Sequence, residues 1–566
     1  MNINVATDMP RPWLDHYPEG VMRDLPESYT LTLDAILRNA ASTYPERPCI
    51  EALGKVMNFK QTIDAAERVA AWLQAQGLQR GDRVAVMCPN LLACPVSVFG
   101  VLLAGFTVVN VNPLYTAREL KHQITDSGAK VLMVLENFAH VVEAAGVEDM
   151  GLEKVVVIAP GDLMGLKGHI VNFVSRKMKK AAPPHGLTGT VRFTEVVGYT
   201  GSYERPETDP DDIAFLQYTG GTTGVSKGAT LLHRNVAANV TQCDANMGPF
   251  LRGLDTDHVM VLALPIYHIF GLTCTFVFMN MGAKLLLIPN PRDIDGFVKT
   301  LSKTKVTMFS GVNTLYNALA NHKDIGNVDF SSVVFSVAGG MAAQAEVARK
   351  WKALSGTPII EGYGLSETSP VATMNPLSLP EFSGNIGYPL QQTDIVILDD
   401  DGNYLPMGEA GELAIKGPQV MAGYWNRPEE TAKCMTDDGF FKTGDVAMML
   451  EDGAFKIVDR KKDMILVSGF NVFPNEVEEI IVQHPAVLEA AVVGTPSEKA
   501  GEEVTAFVVL NEGQSLDREG LREFCKAHLT GYKVPSILHV RDELPKTNVG
   551  KILRRELRDE AEKLVS

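Results

Sequence analysis

The sequence predicts an α/β fold in which mainly parallel sheets are packed by helices. Its first sign is a series of short apolar, β-branched runs: RVAVM (83–87), TVVNV (107–111), KVLMVL (130–135) and KVVVIA (154–159). Its second is an amphipathic helical pattern, DAAERVAAWLQAQGL (64–78), directly before the first run. Because strands that alternate with helices are joined by crossovers, this order favours parallel pairing.

The pattern changes after about residue 390, which predicts a β-rich subdomain and then a small α+β domain. TDIVILDDDGNYLP and GELAIKGP are predicted as strands joined by a D-G turn, and EDGAFKIVDR adds a second D-G hairpin. Beyond Arg460, helical and strand patterns alternate again over about a hundred residues. The charged segment 459–463 between them is the candidate linker. We therefore predict an N-terminal domain over 1–459 and a small, mobile C-terminal domain over 460–566.

Length, charge and cysteine content limit the class of protein to which the chain can belong. The chain has 566 residues, more than one hydrophobic core organises, so at least two domains are expected. Its formal net charge of −16 argues against nucleic-acid binding through the general surface. Seven dispersed cysteines indicate reduced thiols, and the N-terminal segment has no apolar run typical of a signal peptide. We expect a cytoplasmic protein.

One uncharged segment, 87–117, raises the alternative of a membrane span. Against it stand Pro95, Asn110 and the change after Gly105 to a β-branched run. A buried helix, a glycine stop and a buried parallel strand fit this pattern better than a transmembrane helix.

The sharpest local signal is the segment YTGGTTGVSKGA (218–229), directly after the apolar run IAFLQ. A loop after a strand that is rich in backbone N–H groups, hydroxyls and one lysine suits a polyphosphate. It does not contain the Walker A pattern. The density of Thr, Gly and Lys favours an anion site over a solvated turn.

Six further motifs follow in order and carry a resemblance to the adenylate-forming superfamily, which includes acyl-CoA synthetases, luciferase and the adenylation domains of peptide synthetases. They are PIYHIFG (265–271), AGG (338–340), EGYGLSET (361–368), KTGD (442–445), DRKKDMILVSGFNVFPNEVE (459–478) and PKTNVGKILR (545–554). Within the superfamily, the chain most resembles the bacterial long-chain fatty acid–CoA ligases.

The resemblance implies ATP, coenzyme A and a fatty acid as substrates and Mg²⁺ as the metal ion. The resemblance also implies phosphate contacts, adenine stacking by Tyr363, and ribose contacts by Asp445 and Arg460. Ser366 stands where many members have Thr, which keeps a hydroxyl at that position. The implied nucleotide-binding residues are Thr219, Gly220, Gly221, Thr222, Thr223, Gly224, Lys227, Gly339, Gly340, Tyr363, Gly364, Ser366, Thr368, Asp445 and Arg460.

Lys551 and Glu367 are the implied catalytic residues. The superfamily uses the lysine to bridge the attacking carboxylate and the α-phosphate, and the glutamate to bind Mg²⁺, a cation that prefers carboxylate oxygen. Two like charges about 4 Å apart repel by roughly 4 kcal/mol at an effective dielectric constant near 20. A lysine and a metal ion offset this repulsion.

The remaining implied roles are less specific. Tyr267, His268 and Gly311 are predicted to line the acyl pocket, although a lone histidine among apolar residues is more often a core residue, and no acid–base role is assigned to it. Lys462 is the predicted hinge, against the alternative of a solvated lysine in a basic run. Gly469 is predicted to border the coenzyme A tunnel.

Two segments, 309–319 and 163–184, resemble bacterial long-chain ligases. The second places Ile170, Phe173, Val174 and Met178 at helical spacing. Beside them lies a basic cluster of Lys167, Arg176, Lys177, Lys179 and Lys180. This combination favours peripheral contact of 167–180 with an anionic membrane at its inner face; a solvated loop is the alternative.

Other functions stay open from sequence. The same ligase could act on a medium-chain or aromatic acid, or a stand-alone adenylation enzyme could load a carrier protein. Oxidative chemistry of the luciferase type shares these motifs. A nucleotide-binding regulator without chemistry would not need both Glu367 and Lys551.

Overall fold

The three-dimensional structure is a computed structural model that describes residues 10–26, 29–219, 226–252, 254, 258–468, 470–497, 500–547 and 550–565. Six residues with predicted roles lie outside the described residues: Gly220, Gly221, Thr222, Thr223, Gly224 and Gly469.

The strands, in chain order, are β1 (Pro48–Ala52), β2 (Lys55–Asn58), β3 (Arg83–Met87), β4 (Thr107–Asn110), β5 (Ala129–Leu135), β6 (Lys154–Ile158), β7 (Val191–Arg192), β8 (Ile213–Thr219), β9 (Lys227–Leu232), β10 (Val259–Leu262), β11 (Lys284–Leu287), β12 (Met308–Gly311), β13 (Phe335–Ala338), β14 (Ile359–Gly364), β15 (Val371–Met374), β16 (Tyr388–Pro389), β17 (Asp394–Leu398), β18 (Ala410–Lys416), β19 (Gly423–Tyr424), β20 (Phe441–Met449), β21 (Phe455–Arg460), β22 (Ile465–Val467), β23 (Phe470–Val472), β24 (Val487–Ser497), β25 (Gly501–Leu510) and β26 (Ile537–Arg541).

The α-helices are α1 (Leu33–Thr43), α2 (Phe59–Gln74), α3 (Ala93–Leu103), α4 (Ala117–Ser127), α5 (Ala139–Ala145), α6 (Leu166–Phe173), α7 (Phe193–Val197), α8 (His233–Leu251), α9 (Ile269–Asn280), α10 (Ile294–Leu301), α11 (Asn313–Ala320), α12 (Ala345–Ser355), α13 (Pro428–Cys434), α14 (Pro474–Ile481), α15 (Arg518–Lys526) and α16 (Arg554–Val565).

Two large sheets organise the N-terminal part. One has the order β16-β15-β14-β13-β12-β10-β11-β1-β2, and its central strands from β14 to β1 run parallel. The other has the order β19-β9-β8-β4-β3-β5-β6-β7, parallel from β8 to β7. The four apolar runs read from sequence are β3 to β6, neighbours in this second sheet, which confirms the parallel prediction.

The uncharged segment 87–117 folds as predicted for a buried element. It forms helix α3, in which every residue is buried, then a turn at Gly105 with φ of +81°, then the buried strand β4. Within the described part of the chain, each helix is too short or too polar to cross a lipid bilayer.

The β-rich subdomain is a four-stranded antiparallel sheet in the order β17-β18-β20-β21. The D-G turn at 452–453 connects β20 to β21, as predicted. The prediction for the first D-G pair is wrong: the chain turns at Gly402 and Tyr404 bridges back to Leu398, but β18 begins only at Ala410. The D-G turn therefore lies within a longer connection between β17 and β18 and does not join these two strands directly.

The C-terminal part has its own sheet and core. Strands β22 to β26 form a five-stranded sheet that helix α14 packs against, and α15 contributes Leu521 to the same core. Strand β21 includes Asp459 and Arg460, so the connection to β22 is limited to 461–464. The predicted α/β class, with a large N-terminal and a smaller C-terminal part, is confirmed; the boundary at 460 and the mobility of the small domain stay predictions.

Candidate active site

Three neighbouring parallel strands end at the same edge of the first sheet and deliver the motif residues there. Strand β12 ends at Gly311, β13 leads into Gly339 and Gly340, and β14 ends at Gly364. The carboxyl edge of a parallel sheet is where α/β proteins bind ligands. The backbone is tightly packed here: a Cβ on Gly364 would lie 1.8 Å from the carbonyl oxygen of Pro370, and Gly340 has φ of +82°.

The residues predicted to bind the nucleoside come together from three motifs. The Tyr363 hydroxyl donates a hydrogen bond of 2.6 Å to Asp445 Oδ2. Arg460 pairs with the other carboxylate oxygen, Nε to Oδ1 at 3.2 Å, across the β20–β21 ladder. Burial, and then the Asp445 charge, raise the pKa of Tyr363 well above its usual range, so its hydroxyl stays a donor.

Glu367 lies in a short 3₁₀ turn, Ser366–Thr368, after β14. Its side chain is buried, and the Tyr424 hydroxyl donates to its Oε1 at 2.7 Å. Burial raises the pKa of Glu367, while the hydrogen bond from Tyr424 opposes that rise. The Thr368 hydroxyl bonds to the backbone of Leu365 and Pro370, which fixes the turn. Ser366 is only half-buried.

The donor set at Glu367 fits a magnesium ion that arrives with ATP. Among the described residues there is no group of three or more His, Cys, Asp or Glu side chains that could hold a metal ion by themselves. The Tyr424 hydroxyl donates to Oε1 of Glu367, and a carboxylate has further lone pairs with which to bind a cation. Mg²⁺ commonly binds one or two carboxylates together with substrate phosphates and water.

Lys551 comes to this edge from the C-terminal part. A Cβ on Gly340 would lie 3.5 Å from Lys551 Cε. The segment around Lys551 contacts the N-terminal part through hydrogen bonds from Thr314 Oγ1 to the Gly550 carbonyl and from Arg292 to the Thr547 carbonyl, each at 3.3 Å. Burial and the Arg460 charge lower the pKa of Lys551 to about 8, against the opposing influence of Asp445 and Glu367.

His268 is the N-cap of α9, where its Nδ1 accepts a 3.4 Å hydrogen bond from the backbone N–H of Phe270. Burial, and then the nearby Lys551 ammonium, lower the pKa of His268 to about 3. The imidazole is therefore neutral at physiological pH. Tyr267 is half-buried, and its carbonyl accepts a hydrogen bond from Gln217.

An apolar cavity of about 40 Å³ lies beside this edge. Phe270 lines this cavity, and its ring packs so closely on Gly339 that a Cβ on Gly339 would lie 2.8 Å away. The predicted pocket residues Tyr267, His268 and Gly311 are not among its lining residues; their neighbours Phe270 and Ser310 are. The other lining side chains include Cys243, Met247, Met260, Cys274, Val277 and Met374.

Thr219 and Lys227 flank the undescribed part of the Gly-rich loop, at the end of β8 and the start of β9. Lys227 Nζ pairs with Glu430 Oε2 at 2.6 Å and lies 5.2 Å from the centre of the Tyr424 ring. Lys227 is predicted to bind the nucleotide and Glu367 to bind Mg²⁺. Both side chains contact the segment from Tyr424 to Glu430.

Lys462 lies between two residues that are attached to different parts of the molecule. Lys461 pairs with Asp400 and Glu412 of the β-rich subdomain, at 2.9 and 3.4 Å. Asp463 pairs with Arg554 and Arg558 of α16, at 3.9 and 3.5 Å. A rotation of the small domain would therefore concentrate its backbone change near Lys462.

Sequence reasoning missed Tyr424, Glu430 and the distal cavity residues. Tyr424 and Glu430 belong to the segment GYWNRPEE (423–430), whose aromatic and charged residues look like an ordinary exposed turn and helix start. The cavity residues come from α8, α9 and strands far apart in sequence, so no local pattern predicts them.

Comparisons with known proteins agree with this architecture. Residues 37–425 match the AMP-binding enzyme family, and residues 476–551 match the AMP-binding enzyme C-terminal domain. The chain belongs to the AMP-binding enzyme family, as the motifs predicted.

Relatives at high identity make the match more specific. The chain is 49% identical over 559 residues to a long-chain-fatty-acid–CoA ligase from Escherichia coli, which covers 98% of this chain and 99% of that relative. Among solved structures, ATP-bound MatB from Rhodopseudomonas palustris matches with a TM-score of 0.81 at 29% identity, over 95% of this chain and 100% of that one. The anthranilate CoA ligase AuaEII with anthranoyl-AMP matches with a TM-score of 0.83 at 26% identity, over 95% of this chain and 98% of that one.

Proposed function

We propose that this protein joins a long-chain fatty acid to coenzyme A through an acyl-adenylate, at the expense of ATP. The observation that carries the proposal is the convergence of Lys551, Glu367 and the Tyr363–Asp445–Arg460 cluster at one sheet edge, beside an apolar cavity. The near full-length identity to long-chain-fatty-acid–CoA ligases supports the substrate class.

In the first step, a carboxylate oxygen attacks the α-phosphorus of ATP, and the bond to the β-phosphate breaks to release pyrophosphate. Tyr363 would stack on the adenine, while Asp445 and Arg460 would hold the ribose. Lys551 would contact the attacking carboxylate and the α-phosphate, where its charge offsets their repulsion. Its partly desolvated position strengthens that interaction compared with water.

We assign Mg²⁺ to the carboxylate of Glu367. When bound, the ion would neutralise phosphate charge and polarise the reacting phosphoryl group. Tyr424 holds Glu367 in one orientation through its 2.7 Å hydrogen bond, which fixes the carboxylate before a nucleotide binds. Thr219 and Lys227, with the loop between them, would bind the β- and γ-phosphates.

In the second step, the sulfur of coenzyme A attacks the acyl carbon, and AMP leaves with the former carboxylate oxygen. We propose that the domain from 460 onward rotates about Lys462 between the steps, because Lys461 and Asp463 are fixed to different parts of the molecule. Gly469 would then border the coenzyme A tunnel, where a side chain would obstruct the thiol.

The acyl chain would enter the apolar cavity past Phe270. At about 40 Å³ the cavity is too small for a long chain in this conformation, so its lining must open. Met247, Met260 and Met374 suit that role, because unbranched methionine side chains change rotamer readily and fill irregular spaces. Each buried methylene adds about 0.8 kcal/mol, so an open cavity favours long chains gradually.

A pyrophosphate-exchange screen tests the function. Saturated acids of increasing length, an aromatic acid and a no-acid control would be compared, followed by thioester formation with and without coenzyme A. The proposal expects exchange with long-chain acids and acyl-CoA only when coenzyme A is present. Exchange confined to aromatic acids, or acyl transfer only to a carrier protein, would refute it.

We further propose that the enzyme is cytoplasmic and binds the inner face of an anionic membrane through the α6 face, defined here as the exposed apolar residues of α6 and the turn after it. These are Leu166 (87% exposed), Ile170 (66%), Phe173 (59%) and Met178 (71%). Large apolar side chains clustered at such exposure indicate an interaction surface.

The basic residues of 167–180 differ in availability. Lys177, Lys179 and Lys180 are exposed and free to meet lipid headgroups. Arg176 is instead held by Glu136, with an ion pair at 2.6 Å, and Lys167 donates to the Leu53 carbonyl at 2.7 Å. The apolar residues should therefore contribute more to membrane binding than the full set of charges suggests.

Vesicle sedimentation tests this surface. Phe173→Ser should weaken binding to anionic vesicles by about tenfold to a hundredfold, since burying a large apolar side chain contributes about 1.5–3 kcal/mol and each 1.4 kcal/mol is about a factor of ten. Met407→Ser, at an exposed apolar residue of the β-rich subdomain, is the control and should bind like the wild type. Equal vesicle binding by wild type and Phe173→Ser at low salt would refute membrane contact through the α6 face.

A further inference from the structure

The segment that carries Glu430 is fixed to the sheet that carries Lys227. Strand β19 pairs with β9, with Tyr424 opposite Ala229. The backbone N–H of Trp425 donates to the Gly228 carbonyl at 2.8 Å. Arg427 pairs with Asp126 at 2.8 Å just before α13 begins. These contacts hold the start of α13 in place beside the first residue of β9.

In this position the carboxylate of Glu430 forms an ion pair with the ammonium group of Lys227. Its Oε2 lies 2.6 Å from Lys227 Nζ, while its Oε1 pairs with Lys433 at 2.8 Å, one helical turn further. The Tyr424 ring lies on another side of the Lys227 ammonium, 5.2 Å from Nζ. The hydrogen bond from Lys227, and then that from Lys433, lower the pKa of Glu430 to about 2, so the carboxylate is charged throughout the physiological range.

We propose that Glu430 is a positioning residue that holds Lys227 while the nucleotide site is free and is exchanged for a β- or γ-phosphate when ATP binds. The inference rests on the proposed function, in which Lys227 binds the polyphosphate. A carboxylate and a phosphate oxygen both satisfy an ammonium group. Because α13 is fixed, the flexible lysine side chain makes the exchange and Glu430 stays where it is.

This exchange has a consequence for release. After adenylation, pyrophosphate must leave Lys227 before coenzyme A can react, and Glu430 is a ready replacement partner. Glu430 therefore lowers the affinity for ligands that carry a β-phosphate and favours departure of pyrophosphate. AMP has no such phosphate, so its affinity should not depend on Glu430.

The test compares the wild type with Glu430→Gln and a matched control, Glu429→Gln. Glu429 is the exposed neighbour on the same helix, and the substitution changes the net charge equally. Calorimetric titrations would measure dissociation constants for ATP with Mg²⁺ in the absence of acid, and for pyrophosphate and AMP. For a half-exposed ion pair, Glu430→Gln should tighten ATP and pyrophosphate by about twofold to fivefold and leave AMP unchanged.

The Lys227→Met background separates exchange from general electrostatics. There, adding Glu430→Gln should leave the affinity for ATP unchanged, because the Lys227 ammonium for which Glu430 and a phosphate would compete is absent. A dissociation constant for ATP in Glu430→Gln that equals or exceeds that of the wild type would overturn the proposal. So would equal tightening by Glu429→Gln, or tightening that persists with Lys227→Met. Failure of the wild type to form acyl-CoA would instead refute the proposed function.

Discussion

Replacing Lys551 by alanine should separate the two half-reactions. The ordinary lysine pKa of 10.5 falls to about 8 at this position, mainly through burial. At about 1.4 kcal/mol for each unit of pKa, holding the ammonium there costs about 3 kcal/mol. Because the pKa in the folded protein is lowered, this cost applies in full below about pH 8 and disappears as the pH rises to 10.5.

The Lys551 ammonium is held at this cost beside Glu367 and Asp445, where it would stabilise the negative charge of the adenylation transition state. Removing one preorganised charge of this kind lowers the rate by about 10²–10³. Lys551→Ala should therefore slow adenylation by about that factor. Thioester formation from supplied acyl-adenylate should change little, because the role proposed for the lysine is confined to the first step.

The same pKa predicts a pH dependence. In the wild type, kcat/KM for ATP in adenylation should fall above about pH 8, where the neutral amine becomes the main form. Bound phosphates favour the ammonium, so the corresponding fall in kcat should occur at higher pH. Lys551→Arg keeps its charge and should lose the alkaline fall even if its rate is reduced.

Rapid-quench measurement of each half-reaction provides the assay. Lys526→Ala, at an exposed lysine of the same domain, is the control and should match the wild type in both steps. Equal losses in adenylation and thioester formation by Lys551→Ala would refute the role assigned to the lysine. An alkaline fall that Lys551→Arg retains would show that another group titrates.

Three further changes test other parts of the site. Glu367→Gln keeps the size of the side chain but removes its charge, and should lower adenylation strongly and raise the Mg²⁺ concentration for half-maximal rate; unchanged Mg²⁺ dependence would move the metal site elsewhere. Lys462→Pro fixes φ near −65° and should spare pyrophosphate exchange while abolishing acyl-CoA formation; normal turnover would exclude the hinge. Gly364→Ala places a Cβ 1.8 Å from the Pro370 carbonyl oxygen and should destabilise the protein by about 1–3 kcal/mol in thermal unfolding, whereas Gly326→Ala, which meets open space, should not.

Local sequence patterns predicted the elements that depend on local physics. Apolar runs bounded by turns gave β3 to β6, and the uncharged segment 87–117 became a buried helix and strand because its glycine and asparagines interrupt a membrane span. The first D-G pair failed for the opposite reason. The chain does turn at Gly402, as the D-G pair predicts. The strand that pairs with β17 begins only at Ala410, because its position depends on pairing within the sheet and not on the turn.

For the candidate site, too, local patterns predict some residues and not others. Tyr363, Asp445 and Arg460 were named from motifs, and the structure brings all three together. Their partners could not be named, because they depend on contacts between distant segments. The Lys227–Glu430 pair spans 203 positions, and the cavity joins α8, α9 and β15. The position of Lys551 depends further on how the small domain docks, which no local pattern contains.

Isotope transfer tests acyl-adenylate formation most directly. A long-chain fatty acid labelled with ¹⁸O in its carboxylate would be converted with ATP and coenzyme A, and AMP and pyrophosphate would be analysed by mass spectrometry. Attack of the carboxylate on the α-phosphorus predicts a single ¹⁸O atom in each AMP and none in pyrophosphate. Formation of ADP with ¹⁸O in inorganic phosphate, or unlabelled AMP, would contradict acyl-adenylate chemistry.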